Sequence, residues 1–229
     1  MTQAFAFPSR DGVPCHGELA LPPGEARAGA LVVVHEWWGL NDQIKEVCDA
    51  YAQAGFVTLA PDLYRGKLTT EPDEAGKLMM SLNLERAGKD MGGAIDALRD
   101  HPAVTSKGVG VTGYCVGGGL ALLLATQRPD AVVAVAPYYG LIPWPVQPDY
   151  STLRAPVQGH YAEHDEYSGP DKVRELEAEL QGLGKHVEFF IYPGTEHAFA
   201  NHHRPEVYDA AAATEGWLRT VEFFRTYVR

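Results

Sequence analysis

The sequence predicts an α/β fold in which a mainly parallel central sheet carries helices on both faces. Three observations predict it. Short, almost wholly apolar runs recur at Leu31–Val34, Phe56–Ala60, Val109–Thr112 and Val132–Ala136, as expected of strands buried on both faces. Segments with helical spacing of apolar residues separate them, which is the alternation of parallel strands and crossover helices. A Gly-x-Cys-x-Gly stretch, residues 113–117, joins one apolar run to a glycine-rich helical run, which reads as a sharp strand-to-helix turn.

Each element can be justified in chain order. Gly17–Leu21 reads as an edge strand before the parallel set, and Leu31–Val34 as the first buried strand. Ile44, Val47 and Tyr51 share one face of a helix capped by Asn41 or Asp42. Phe56–Ala60 is the next strand. Residues 62–82 are the least regular and read as a cap or loop over the site. Ala87, Met91, Ile95 and Leu98 form a helical stripe that ends before Pro102. The strands at 109–112 and 132–136 flank the glycine-rich helix. Leu141–Tyr150, with Pro143, Pro145 and Pro148, reads as a second irregular loop. A strand at 156–161 is polar for a central position, because Gln158 and His160 interrupt it. Val173, Leu176, Leu180 and Leu183 mark a helix behind Pro170. Val187–Tyr192 is a last strand, broken only by Glu188. Trp217, Val221, Phe224 and Val228 mark the closing helix.

The 229 residues suit one domain, 1–229, with a single sheet and no linker. A net charge of -11 argues against nucleic acid or an anionic membrane as partner. No apolar run approaches the roughly 20 residues that span a bilayer, and residues 1–10 do not resemble a signal peptide. Three cysteines, an odd number, suit a reducing cytoplasm better than a disulfide framework. The expected partner is a small molecule, and the expected state a monomer or weak homo-oligomer.

The chemistry centres on Cys115. On a tight turn at a helix N-terminus, a thiolate is favoured by the helix dipole and unpaired N–H groups. Such a nucleophile needs a base and a group to orient that base. His197 follows the 187–192 run and is the candidate base. Asp165 follows the 156–161 segment and is the candidate orienter, with Asp171 and Glu163 as alternatives. The chain order nucleophile, acid, histidine is that of α/β-hydrolases. Backbone N–H groups of Trp37, in the loop after the first buried strand, and of Val116, after the nucleophile, would form the oxyanion hole. Glu36, at a strand end, is placed to face the thiol. Cys15 and Cys48 read as structural. A redox-sensing thiol is the alternative role for Cys115, but no nearby cysteine suggests a resolving partner. No metal is expected: His160 and His164 form no ligand motif, and adjacent His202 and His203 do not share a helix face.

The matching segments are His35-Glu36-Trp37-Trp38-Gly39-Leu40-Asn41, Ala60-Pro61-Asp62-Leu63-Tyr64, Gly113-Tyr114-Cys115-Val116-Gly117-Gly118, Tyr138-Tyr139-Gly140 and Gly194-Thr195-Glu196-His197-Ala198-Phe199. Through them the chain resembles the dienelactone hydrolases, cysteine-nucleophile α/β-hydrolases that open an enol-lactone ring without metal or organic cofactor. The resemblance implies Cys115 as nucleophile, His197 as base, Asp165 as its orienter, and Glu36 as the carboxylate that contacts the resting thiol and takes its proton. It also implies two arginines that hold a substrate carboxylate. One of those positions is Asn201 here, and the segment 72–80 has no arginine. Arg204 or Arg65 would have to substitute. Aromatic residues expected at the mouth are Trp38, Tyr64, Tyr139, Trp144 and Phe199, which suggests an apolar pocket for fairly neutral esters or lactones.

Overall fold

The structure is a computed structural model that describes residues 1–24 and 27–229. Eight strands form one sheet: β1 (Gln3–Pro8), β2 (Pro14–Ala20), β3 (Ala28–Val34), β4 (Phe56–Pro61), β5 (Val104–Tyr114), β6 (Val132–Tyr138), β7 (Val157–His164) and β8 (Val187–Glu196). Their spatial order is β1-β2-β4-β3-β5-β6-β7-β8. β1 and β2 run antiparallel, and β2 meets β4 antiparallel. From β4 across to β8 every pairing is parallel. With helices on both faces, this is the α/β-hydrolase fold.

Among the described residues six α-helices complete it: α1 (Asp42–Gln53), α2 (Pro72–Met80), α3 (Leu84–Asp100), α4 (Val116–Gln127), α5 (Pro170–Gly182) and α6 (Ala210–Tyr227). Strand pleating divides the core into two layers. Val32 and Val34 of β3 pack with Met91 and Ile95 of α3, Leu120 and Leu124 of α4, and Leu176 and Leu180 of α5. Leu31 and Val33 face the other way, among Ile44, Cys48 and Tyr51 of α1 and Val221 and Phe224 of α6. Successive side chains of a strand point to opposite faces, so one apolar run feeds both layers.

Three details differ from the sequence expectation. The edge strand is β1, whose Phe5 and Phe7 alternate with Ala4 and Ala6, and β2 lies inside it. Residues 62–82 contain a regular helix, α2. Leu183 is 45% exposed and caps α5 rather than extending its apolar stripe. The strand expected at 156–161 is present as β7, and its polar His160 is satisfied on both sides. Its Nδ1 lies 2.9 Å from Tyr192 Oη and its Nε2 2.9 Å from Thr220 Oγ1.

After β4 the chain returns past β3 to begin β5 on its other side. That reversal opens a crevice at the carboxyl ends of β3 and β5, where open α/β sheets place their sites. Glu36 follows β3 there, and Cys115 follows β5.

Candidate active site

Cys115 forms the N-cap of α4 with φ 55° and ψ −125°. A non-glycine residue in this region is strained and persists only when its surroundings hold it. They do. Its N–H donates to the Tyr138 carbonyl at 3.0 Å, and its carbonyl accepts from Gly118 N–H at 2.9 Å. A side chain on Gly113 would collide with the Gly117 carbonyl, and one on Gly117 with the carbonyls of Val34 and His35. The two glycines therefore let the start of α4 lie directly against β5 and the β3 end. Among the described residues four non-glycine positions have positive φ, and three belong to this site: Cys115, Tyr139 at 36° and Ala198 at 69°. Such clustering is typical of functional sites.

His197 and Asp165 come from the ends of β8 and β7. His197 Nδ1 lies 2.7 Å from Asp165 Oδ2, with side-chain exposures of 18% and 0%. The other carboxylate oxygen of Asp165 accepts from Tyr167 N–H at 2.8 Å and Ser168 N–H at 2.9 Å. Burial alone would raise the Asp165 carboxyl, but these donors and His197 hold it below the usual range. Asp165 is thus an ionised acceptor for His197 Nδ1–H, and His197 Nε2 stays clear of it. Burial opposes a charge on His197, yet Asp165 and the neighbouring Cys115 sulfur outweigh it and push the imidazole up to about 10. Tyr139 and Tyr167 present edges to the imidazole, both at 5.3 Å between centroids. Glu163 instead accepts from Gly194 N–H at 2.8 Å, and Asp171 lies in the first turn of α5. Neither bonds His197.

Glu36 is buried. Tyr139 Oη donates to its Oε1 at 3.3 Å and Asn201 Nδ2 to its Oε2 at 3.0 Å. Burial dominates and raises this carboxyl above its ordinary range, against lesser opposition from His197, Asn201, Arg204 and Tyr139. Among the described residues the hydrogen bonds of the Glu36 carboxyl run to Tyr139 and Asn201, none to Cys115. The backbone of Glu36 is fixed by His35. Leu63 N–H donates to His35 Nε2 at 3.2 Å, so Nδ1 carries the proton and donates to the Glu36 carbonyl at 2.7 Å. Sequence reasoning gave His35 no role, although it opens the same motif. Among the described residues the backbone N–H groups of Trp37 and Val116 have no acceptor within the protein.

A cleft of about 1270 Å³ contains Cys115, Val116, Asp165, His197, Glu36, Trp37, Trp38 and Tyr139 in its walls. Met79, Leu141, Ile142, Leu176 and Val207 supply apolar wall that the sequence did not disclose. Three of the expected mouth aromatics lie elsewhere. Tyr64 and Trp144 belong to one core layer and Phe199 to the other. Tyr64 packs edge-on to His35 at 4.8 Å, and Phe199 packs against Tyr139 at 5.4 Å, so both support wall residues from behind. Asn201 likewise acts from beneath, through Glu36. Arg204 does reach the cleft wall, whereas Arg65 pairs with Asp90 at 2.6 Å.

The sequence profile of the dienelactone hydrolase family matches residues 16–228. Protein usf of Aquifex pyrophilus is 37% identical over 238 residues, covering 100% of both chains. A protein of Aquifex aeolicus provisionally named carboxymethylenebutenolidase is 35% identical over 235 residues, again covering 100% of both. Among solved structures, a provisionally named dienelactone hydrolase of Klebsiella pneumoniae superposes with a TM-score of 0.87 at 24% identity. That match covers 99% of this chain and 100% of the other.

Proposed function

The chain belongs to the dienelactone hydrolase family and is a hydrolase of esters or lactones; from that premise we propose that Cys115, His197 and Asp165 cleave small, largely uncharged substrates through a thioester. The observation that carries this reading is the 2.7 Å Asp165–His197 bond in the same cleft as a strained, partly exposed Cys115.

The Cys115 sulfur attacks the carbonyl carbon, and its proton passes to His197 Nε2. Asp165 stabilises the imidazolium through Nδ1. The Trp37 and Val116 N–H groups receive the oxyanion. Collapse expels the leaving alkoxide, which takes the proton from His197. In a lactone that alkoxide, or enol, remains part of the same molecule. Water, deprotonated by His197, then attacks the thioester, releases the carboxylic acid and restores the thiol.

Charge around the cleft supports neutral substrates. Glu163, Glu166, Glu175, Glu179 and Glu196 stand in its walls against Lys172 and Arg204. Arg204 is already engaged by Glu206 at 2.8 Å. A substrate carboxylate entering here meets an excess of like charge and lacks a free guanidinium, a costly combination when it is desolvated. Cys15 and Cys48 are buried in opposite core layers, which favours hydrolysis over thiol sensing with a resolving partner.

The test is steady-state hydrolysis of a short-chain aryl ester and of dienelactone by wild type, Cys115→Ala and Cys115→Ser. The wild type is expected to prefer the aryl ester, and alanine to lose at least about 10³-fold in kcat/KM. Full activity in the alanine variant would remove Cys115 from the mechanism. A strong preference for dienelactone would refute the neutral-substrate reading.

A further inference from the structure

A second cluster of metal-binding side chains lies outside the cleft. Glu46 is on α1, and His202 and His203 lie in the turn that follows the segment carrying His197 and Asn201. His202 Nε2 lies 2.7 Å and His203 Nε2 3.0 Å from the same oxygen, Glu46 Oε2. All three candidate ligand atoms lie within 4.8 Å of one another. The two imidazoles stand perpendicular, at 89° with centroids 4.6 Å apart, so both direct Nε2 to one point without stacking. The helix-face argument against adjacent histidines does not apply, because these two sit in a turn.

We propose that Glu46, His202 and His203 form a surface site for one divalent transition-metal ion, zinc by ligand chemistry, which fastens the segment carrying His197 and Asn201 to α1. Two imidazole nitrogens and one carboxylate oxygen are the donor set of many zinc sites, with water completing the tetrahedron. Ligands at zinc bond lengths of about 2.0–2.1 Å and tetrahedral angles stand about 3.3 Å apart. The two Glu46–histidine pairs need open by only a few tenths of an ångström, and the two Nε2 atoms, within 4.8 Å of each other, adjust about the ion. The three residues are 52%, 48% and 42% exposed, so a hydrated ion can reach them and the side chains can adjust. The chain's net charge of -11 favours a cation at its surface.

The position ties the site to the cleft. His203 N–H donates to Asn201 Oδ1 at 3.0 Å, and Asn201 Nδ2 donates to Glu36. An ion holding His203 to α1 therefore restrains the residue that holds Glu36.

The experiment is isothermal titration of zinc chloride into the Cys115→Ala protein, which removes the cleft thiol as a rival ligand. The same protein carrying His202→Ala or Glu46→Gln is titrated alongside. One ion per chain is expected, and either substitution should weaken binding about 10-fold or more. Both residues are exposed, and circular dichroism confirms that each variant is folded. No one-to-one binding, or binding that neither substitution weakens, would overturn the site. Amide exchange across residues 198–204 tests the fastening. It should slow on zinc addition and stay unchanged in the Glu46→Gln variant; exchange that zinc leaves unaltered would overturn that part.

Discussion

Replacing Asp165 by asparagine changes one function of a buried side chain while keeping its shape. The amide oxygen can still accept from Tyr167 and Ser168 N–H, so the turn between β7 and α5 is retained. The amide nitrogen then faces His197 Nδ1 where a carboxylate oxygen lay at 2.7 Å. Two donors cannot face each other, so the imidazole proton moves to Nε2, and that nitrogen can no longer take the thiol proton. The magnitude follows from the imidazolium. Its rise from 6.5 to about 10 corresponds to roughly 5 kcal/mol in favour of the charged ring, at about 1.36 kcal/mol per pH unit. Asp165 and Cys115 share that support. Losing Asp165's share of it is expected to cost on the order of 10²-fold in kcat/KM. The inverted tautomer adds to this, toward the roughly 10⁴-fold that the same substitution costs in a serine triad. The assay is aryl-ester hydrolysis normalised to titrated thiol, with the thermal midpoint as a control on folding. A loss smaller than about 5-fold in a fully folded variant would refute the role given to Asp165. Stability offers a second readout. A histidine whose folded value is raised stabilises below its unfolded value of about 6.5 and loses that contribution as pH rises toward about 10. The urea midpoint of wild type should therefore fall more than that of Asp165→Asn over this window.

Three further outcomes can be checked. Gly117→Ala forces a methyl against the carbonyls of Val34 and His35; it should cost about 3 kcal/mol, or ~6–12 °C in thermal midpoint, and a shift under ~2 °C would refute the close packing. His160 is lowered to about 3, by burial first and the Arg219 charge second. The unfolded chain then binds a proton that the folded chain refuses, so stability falls as pH drops below about 6.5, by roughly 2 kcal/mol at pH 5; His160→Gln, compared in urea at both pH values, should lack that decline. Glu36→Gln should change the rate of Cys115 alkylation by iodoacetamide less than about 3-fold, because burial already favours the uncharged carboxyl; a tenfold change would show a charge acting on the thiol.

The layered sheet was legible because its strands are buried on both faces and read as continuous apolar runs. β1 was not, since its apolar residues are two phenylalanines spaced by alanines in a segment otherwise open to solvent. β7 looked too polar because sequence cannot show that Tyr192 and Thr220 will meet both nitrogens of His160. In the candidate site, the placement of Cys115, Asp165 and His197 at strand ends around one cleft was legible because the turn glycines and the strand ends fix their positions. The aromatic wall was not. Trp144 and Phe199 adjoin site residues in sequence or space, but their direction depends on packing between layers, which no local pattern encodes.

Position 201 bears on how the thiol is activated. Where the family resemblance implies an arginine, Asn201 gives Glu36 a neutral donor, and Tyr139 gives it another. Neither compensates a buried negative charge as a guanidinium would. The guanidinium in the cleft wall, Arg204, pairs with Glu206 and offsets the burial of Glu36 only in part. Burial, which raises the Glu36 carboxyl, lessens the charge it sets against a thiolate. His197, oriented by the ionised Asp165, is the other base in the cleft. In the mechanism proposed above the proton of Cys115 goes to His197 as the sulfur attacks, without passing through Glu36. Glu36 serves as a buried strut between Tyr139 and Asn201, holding the wall that bears Trp37 and its N–H.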